Sequence, residues 1–294
     1  MSKILAVKKR IFAMVRLTYE KLKDPYYQGS AAELAFYLFL SIVPMFILLS
    51  QVLGLFSISL SSIKEIVNLD MLPAEGAKMI ISLLDYSPSG VNSLFMALTA
   101  IWAASRAQFS LMRMTNYILT DGHSTGKGYF RDRIRSFKTV LITIFTITFA
   151  LVILVYGEMI LQLAFGIVAA AEFAEKTWMT VRWPIAAALY FLMISYNYYM
   201  LPTHRVPFSS VVPGSIFASI GFMAGTAIYT EYTSRAANYD ILYGSFSNIV
   251  VLMFWFFVMS WVMFLGVIIN KVWWEAKLEE EYEARYQAEE QNYN

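Results

Sequence analysis

Six long apolar stretches run through the chain, and the segments between them carry most of its charge. A helix needs about 20 mostly apolar residues to cross about 30 Å of hydrocarbon, because each residue rises about 1.5 Å. Lipid offers the backbone no hydrogen-bond partners, so segments that cross it must be helical. The pattern predicts an all-α polytopic membrane protein whose six transmembrane helices are Ala31 to Phe56, Val91 to Ile118, Val140 to Phe165, Trp183 to Leu201, Val211 to Thr230 and Ile241 to Trp273.

The 23 Lys and Arg residues are divided unevenly between the two sides that six spans define. When alternate segments are assigned to the same side, the side that holds both termini carries 16 of them and the other side carries 5. Cytoplasmic segments of membrane proteins carry an excess of Lys and Arg. The charge distribution therefore predicts that both termini are cytoplasmic. The two remaining cations, Arg106 and Arg113, lie in or at the edge of the second predicted span.

The same pattern divides the chain into three parts. Residues 1–30 are basic and place Ile4, Val7 and Ile11 near one helical face. Such a segment is typical of an amphipathic helix lying on an anionic inner leaflet. Residues 31–273 form the predicted six-helix transmembrane domain. Residues 274–294 are charged and favour helix, which predicts a solvated cytoplasmic tail.

Composition excludes several classes of function. Hydrophobic residues make up 58% of the chain and charged residues only 15%, which is not the balance of a water-soluble enzyme. There is no cysteine, and His123 and His204 are the only histidines, so thiolate, iron–sulfur and His-rich metal sites are not expected. No Walker A or GxGxxG motif is present. We therefore expect no catalytic residue, no metal and no cofactor. A net charge of +2 predicts no nucleic-acid partner.

Three polar residues of the first predicted span recur every four positions, and a proline follows them. Glu33, Tyr37, Ser41 and then Pro44 lie along one stripe of the helix. Pro44 cannot donate a hydrogen bond to the carbonyl of Leu40, which predicts a kink there. A charge near the bilayer centre costs at least about 2.5–3.5 kcal/mol. Glu33 therefore needs a partner, a water-filled cavity or a place near an interface.

The second predicted span carries a similar stripe. Arg106, Ser110, Arg113 and Tyr117 follow one another at helical spacing. The first span runs outward and the second runs inward, so Glu33 lies near the cytoplasmic end and Arg106 in the cytoplasmic half. This register allows the two side chains to oppose each other.

A further polar set stands at the outer end of the last predicted span. Asp240, Tyr243, Ser247 and Asn248 continue down one side of that helix. Two interpretations stay open for this set: a substrate-binding face, or the close helix packing that small and polar residues often provide.

These stripes support two opposing interpretations of Glu33 and Arg106. In the first, they form a structural ion pair or reach the inner interface. In the second, they line a cytoplasm-facing cavity in which Arg106 attracts an anionic headgroup or carboxylate and Glu33 holds Arg106 when the cavity is empty. A cavity open to one side would favour the second interpretation, and tight pairing without a void would favour the first.

Three functions follow from these interpretations. We expect first a transporter or flippase-like protein for an amphiphilic, anionic envelope or lipid-linked molecule, whose partners are that small-molecule substrate and membrane lipids. The alternative is a non-transporting membrane scaffold for envelope assembly. The third is a membrane-embedded lipid-modifying enzyme that uses carboxylates such as Glu33 or Glu158.

Four segments, taken in this order, resemble the YihY/BrkB family over about residues 20 to 272. They are AAELAFYLFLSIVP from Ala31 to Pro44, ASRAQFSLMRMTNYI from Ala104 to Ile118, VVPGSIFA from Val211 to Ala218 and YDILYGSFSNIVVLMFWFFVMSWVMFLGVIIN from Tyr239 to Asn270. One departure is that Gly266 is followed by Val267, where family members often carry an acidic residue; here the polar residue is Asn270.

The resemblance implies a six-span, multi-pass protein of the bacterial inner membrane. The family has carried two labels, a ribonuclease acting on tRNA and a virulence or serum-resistance factor. The first label fits this sequence poorly, because the clustered His and Asp ligands of a metal-dependent phosphodiesterase are not found in its short loops. The second names a phenotype.

Overall fold

The computed structural model describes residues 12, 15, 16, 19, 20, 23–55, 91–165, 171–204, 206–235 and 245–293. Within these ranges all regular structure is helical and no strand occurs, as the hydrophobic pattern predicts. The long helices are α1 (Pro25–Leu55), α2 (Val91–Leu119), α3 (Tyr129–Phe165), α4 (Ala171–Met200), α5 (Phe208–Arg235) and α6 (Ser245–Tyr293).

Each predicted span overlaps one of these helices, and residues 56 and 241–244 of the predicted spans lie outside the described residues. By length and composition, four segments of the described residues can cross a membrane: Tyr129–Ile153, Thr177–Met200, Phe208–Tyr232 and Ile249–Glu279. The structure therefore confirms an all-helical membrane protein, whereas the count of six crossings and the cytoplasmic termini stay predictions.

Helix α1 begins six residues before the predicted start at Ala31 because a capping sequence precedes it. Asp24 lies just before the first turn, and its Oδ1 accepts a 2.9 Å hydrogen bond from the backbone N–H of Tyr26. Pro25 occupies the first helical position, where a missing N–H costs nothing. Pro44 lies inside α1, which continues to Leu55.

The last helix is also longer than the predicted span. Helix α6 has 49 residues and continues without interruption through the predicted tail to Tyr293. The side chains of Leu278, Tyr282 and Tyr286 are exposed along this extension. The charged tail is thus the end of the last helix, as its helix-favouring composition indicates, and not a separate segment.

Neighbouring helices in the chain pack against one another, and α6 returns to pack on α1 and α2. The bundle therefore closes on itself. Glycines let α5 and α6 approach closely: a Cβ on Gly214 would collide with the carbonyl oxygen of Gly266, and one on Gly225 would collide with Met259. Small residues commonly serve this purpose where membrane helices cross. The C-terminal ends of α2 and α4 and the N-terminal ends of α3 and α5 consequently lie at the same end of the bundle.

Candidate functional site

A polar cavity of about 600 Å³ opens at this end of the bundle. Helices α1 and α2, the first turn of α3 and the loop between α2 and α3 enclose it. Charged, hydroxyl and aromatic side chains share the wall with backbone of the loop. Its lining residues are Glu33, Tyr37, Arg106, Phe109, Arg113, His123, Ser124, Thr125, Gly126, Gly128, Tyr129 and Asp132.

Glu33 and Arg106 share this cavity without forming an ion pair in the described part of the chain. The guanidinium of Arg106 instead lies 4.8 Å from the ring centroid of Trp102 and 6.0 Å from that of Tyr37. A guanidinium is attracted to the face of an aromatic ring at such distances. The structure thus brings Glu33, Tyr37 and Arg106 together around a void. Their role in binding stays a prediction.

The two serines of the predicted stripes do not line the cavity. Ser41 is buried, and its hydroxyl donates a 2.8 Å hydrogen bond to the carbonyl of Leu38 in its own helix. Each four-residue step along a helix drifts by about 40°, so Ser41 stands about 80° around α1 from Glu33. Ser110 is buried inside the bundle, and its hydroxyl has no hydrogen-bond partner. Neither serine therefore belongs to the cavity wall, and a role of Ser41 and Ser110 in binding stays a prediction.

The structure does not place the side chains of the polar set at the outer end of the last predicted span. Asp240 and Tyr243 lie outside the described residues, and Ser247 and Asn248 are described only as part of the first turn of α6. The two interpretations of this set, substrate binding and helix packing, stay predictions.

The loop that covers the cavity has a fixed backbone. Asp121 and Gly122 both have positive φ angles, 51° and 84°, and the N–H of Gly122 donates a 2.9 Å hydrogen bond to the carbonyl of Tyr117. This bond across six residues is the one that closes a Schellman helix end. Gly126 has a φ of 156° and leaves no room for a Cβ beside the carboxylate of Asp132.

Side chains within the loop hold its tip. The backbone N–H of Ser124 donates to Thr120 Oγ1 at 3.0 Å, and the N–H of Gly126 donates to Ser124 Oγ at 3.2 Å. His123 Nδ1 lies 2.7 Å from the carbonyl oxygen of Thr120. These bonds fix the loop over the cavity mouth.

Lys271 ties this loop to α6, a role that the sequence did not indicate. Its side chain is 4% exposed, and its Nζ donates to the carbonyl of Ile118 at 3.0 Å. The same ammonium pairs with Asp121 at 2.5 Å and with Glu275 at 3.4 Å. A cation is favourable at a helix C-terminus, here that of α2. Three acceptors thus compensate the burial of this charge.

A smaller cavity of about 260 Å³ lies on the other side of Lys271, between the end of α4, the start of α5 and α6. Tyr198, His204 and Asn270 contribute to its wall. Lys271 already directs its donors at three acceptors, and Asn270 Oδ1 accepts a 2.6 Å bond from the N–H of Gly214. In the smaller cavity, the ammonium of Lys271 and the amide oxygen of Asn270 are therefore already bonded within the protein. The larger cavity is the better candidate site.

Arg133, in the second turn of α3, adds a buried cation behind the larger cavity. It is 7% exposed and lies among the rings of Trp102, Phe109 and Phe137, 5.2–5.7 Å from their centroids. The count of Lys and Arg that predicts cytoplasmic termini includes Arg133 among the loop residues, because Arg133 precedes the apolar run at Val140. Its neighbour Arg135 instead closes the end of α4 by donating to the carbonyl of Met200 at 2.8 Å.

The start of α1 packs against the end of α2 beside this cavity. The hydroxyl of Tyr117 donates a 2.7 Å hydrogen bond to Asp24, and its ring contacts those of Tyr26 and Tyr27. Burial and then the Asp24 carboxylate raise the pKa of Tyr27, so its phenol is held in the neutral form. Among the described residues, no three His, Asp or Glu side chains are grouped to hold a metal ion.

Comparisons with known proteins cover nearly the whole chain. The profile of the family described as Virulence factor BrkB matches residues 18–292. YfkH of Bacillus subtilis (strain 168), which is named as a ribonuclease-like protein, is 27% identical over 246 residues, which are 83% of this chain and 88% of YfkH.

Two further relatives match more locally. A UPF0761 membrane protein of Pseudoalteromonas translucida (strain TAC 125) is 31% identical over 68 residues, 23% of this chain and 22% of that protein. A UPF0761 membrane protein of Alcanivorax borkumensis is 30% identical over 74 residues, 25% of this chain and 17% of that protein. No solved structure matches the chain.

Proposed function

Since the chain belongs to the virulence factor BrkB family, as its sequence motifs indicated, we propose that it moves an anionic amphiphile across the bacterial inner membrane. In this proposal the six helices all cross the bilayer and both termini are cytoplasmic. The larger cavity then opens toward the cytoplasm, and Arg106 receives the anionic group of a lipid or lipid-linked molecule.

The observation that carries the proposal is the open cavity between Glu33 and Arg106. Two opposite charges on neighbouring helices share about 600 Å³ of space and do not pair with each other in the described part of the chain. If Glu33 and Arg106 had only a structural role, we would expect them to form an ion pair across this space, because leaving both charges unpaired in a partly buried site costs free energy. A ligand-binding site, in contrast, keeps its charges available.

Two other functions have less support. A scaffold for envelope assembly needs no polar cavity inside its membrane domain, although the exposed end of α6 would suit one. Metal-dependent ribonuclease chemistry, which the name of YfkH suggests, would need clustered metal ligands, and no three His, Asp or Glu side chains are grouped in that way among the described residues. A lipid-modifying enzyme would have to use Glu33 or Asp132, the two carboxylates in the cavity.

The proposal is tested by lipid movement in reconstituted vesicles. The full-length protein is incorporated into phosphatidylcholine vesicles with a trace of fluorescent phosphatidylglycerol, and dithionite then quenches the label that reaches the outer leaflet. Arg106→Ala and Glu33→Ala should both reduce movement to the level of protein-free vesicles, because each removes a charge of the cavity. In vesicles with the unmodified protein, fluorescent phosphatidylcholine, which has no net charge, should move more slowly than fluorescent phosphatidylglycerol.

Arg285→Ala is the matched control, since it removes an arginine from the exposed end of α6. It should leave movement unchanged, and gel filtration should show all three variants folded. Unchanged movement in both cavity variants would contradict the proposal. No movement by the unmodified protein would favour the scaffold.

A further inference from the structure

We infer that Arg106 and Arg133 together bind the phosphate group of a lipid headgroup, with the indole of Trp102 beside both guanidinium groups. This inference rests on the proposed function and narrows its substrate class. It adds Arg133 as a ligand-binding residue.

The first argument is the unfulfilled hydrogen-bonding capacity of Arg133. Its Nη1 is buried and has no hydrogen-bond partner, and its Nη2 reaches only the carbonyl of Trp102, at 3.4 Å. An arginine carries five N–H donors, and a buried charged donor without an acceptor is costly. Contacts with aromatic rings offset part of this cost but supply no acceptor oxygen. An anion bound at Arg133 would supply the missing hydrogen-bond acceptor.

The second argument is that two cations share one aromatic neighbour. The guanidinium groups of Arg106 and Arg133 lie 4.8 Å and 5.7 Å from the ring centroid of Trp102. Neither forms an ion pair within the described residues. Two like charges that share one ring as neighbour in a partly buried site repel each other. A bound anion would convert this repulsion into attraction.

The carboxylates nearby do not fill this role. Asp132 lines the cavity, but its carboxylate contacts Gly126 and lies 4.0 Å from Arg135, and it makes no ion pair with Arg106 or Arg133 in the described part of the chain. Glu33 lines the cavity but makes no ion pair with Arg106 or Arg113 in the part of the chain that the structure describes. When Arg133 behind the cavity wall is counted with Arg106 and Arg113, this site holds three guanidinium groups and two carboxylates, an excess of one positive charge.

The geometry favours phosphate over carboxylate. Arg113 adds a third guanidinium, 6.0 Å from the ring centroid of Phe109, and Arg133 contacts the same ring. A carboxylate has two oxygens and satisfies one guanidinium fork. A phosphate presents three or four oxygens in a tetrahedron and accepts from two forks at once. A cluster of three arginines around two rings therefore matches a phosphate.

An apolar row on α2 favours a lipid as the source of that phosphate. Trp102, Leu98 and Phe95 are 50%, 59% and 70% exposed and follow one another at helical spacing away from Arg106. They offer acyl chains a surface that begins beside the arginines. The cavity, at about 600 Å³, also exceeds what a free phosphate ion would fill.

Binding to the purified full-length protein in detergent tests the inference, with short-chain dihexanoyl phosphatidic acid as the probe and calorimetry as the readout. Inorganic phosphate and dihexanoylglycerol, which lacks phosphate, are measured in parallel. Arg133→Lys keeps the charge but loses the planar fork, so it should weaken binding of the probe about tenfold or more. Arg133→Gln and Arg106→Lys should weaken it at least as much.

Lys138→Gln is the matched control, because Lys138 is an exposed cation on the same helix. It should bind as the unmodified protein does. If thermal unfolding shows that Arg133→Gln does not fold, the charge-conserving Arg133→Lys decides. Equal binding by folded Arg133→Lys would overturn the inference. Equal affinity for inorganic phosphate would overturn the lipid source, and equal affinity for dihexanoylglycerol would overturn the phosphate requirement.

Failure of this inference differs from failure of the proposed function. If vesicles show arginine-dependent lipid movement and folded Arg133→Lys binds the probe normally, the proposed function stands and the role of Arg133 falls. If the probe binds through Arg133 but no lipid moves, the phosphate site stands and transport falls.

Discussion

Single polar side chains join the helices of this bundle by bonding backbone groups of neighbouring elements. Asn270 Oδ1 on α6 accepts from the N–H of Gly214 on α5 at 2.6 Å, and Asn116 Oδ1 on α2 accepts from the N–H of Thr203 after α4 at 2.7 Å. Tyr198 donates its hydroxyl to the carbonyl of Met263 at 2.9 Å. A buried backbone group that loses such a partner costs about 1–3 kcal/mol.

Replacing Asn270 tests this view at the residue scale. Asn270→Ala removes the acceptor of a buried N–H and should lower the free energy of unfolding by about 1–3 kcal/mol. The change is measured as a lower melting temperature of the purified protein in detergent. Ser260→Ala is the control, because the Ser260 hydroxyl is also buried but bonds only to Phe256 in its own helix. Equal melting temperatures of the two variants would contradict a role of Asn270 in joining α5 and α6.

At the scale of the element, the crossing of α5 and α6 depends on the absence of side chains. Gly214 and Gly266 place the two backbones in contact, and a Cβ on either would meet the carbonyl oxygen of the other. Backbone atoms cannot move aside as the end of a flexible side chain can. By contrast, Gly29 in the first turns of α1 has open space around its missing Cβ.

Two glycine substitutions should therefore have opposite signs. Gly214→Ala should destabilise the protein, because it forces α5 and α6 apart at their closest point. Gly29→Ala should stabilise it by up to about 1 kcal/mol, because alanine favours a helix and meets no neighbour. Melting temperatures of the two variants, compared with the unmodified protein, check both signs. A stable Gly214→Ala variant would show that the helices do not cross as described.

At the scale of the whole molecule, one end of the bundle concentrates the chemistry. The candidate cavity, the loop that covers it, the Lys271 tether and the cap of α1 all lie there. The excess of Lys and Arg at this end predicts that it is cytoplasmic.

Orientation can be measured directly because the chain contains no cysteine. A single cysteine introduced as Thr125→Cys or Tyr286→Cys should react with a membrane-impermeant maleimide only after cells are permeabilised. Ser87→Cys, between the first and second predicted spans, should react in intact cells. The unmodified protein is an unreactive control. The reverse pattern, or labelling of Thr125→Cys and Tyr286→Cys from opposite sides, would refute the predicted topology.

The sequence predicted part of the cavity because helical spacing and span direction together fix where a side chain lies. Glu33, Tyr37 and Arg106 share the cavity for this reason. Ser41 does not, because the four-residue stripe drifts around the helix. These outcomes depend only on local geometry, which the period of the helix supplies.

Tertiary contacts decided what the sequence did not reveal. Arg133 and Lys271 stand at the edges of apolar runs, where solvent or the interface would satisfy them equally well. Their burial depends on the rings of Trp102 and Phe109 and on the end of α2, which are distant in sequence. The early start of α1 was readable from Asp24 and Pro25, a capping signal that hydrophobicity alone does not register.

The length of α6 has a mechanical consequence. Its 49 residues extend about 73 Å, more than twice the thickness of the hydrocarbon layer. Lys271 pairs with Asp121 near the midpoint of this helix, so the exposed arm beyond it is connected to the loop that covers the cavity. We therefore expect that a partner bound to the exposed arm could pull on the Asp121 contact and so act on the loop above Glu33 and Arg106.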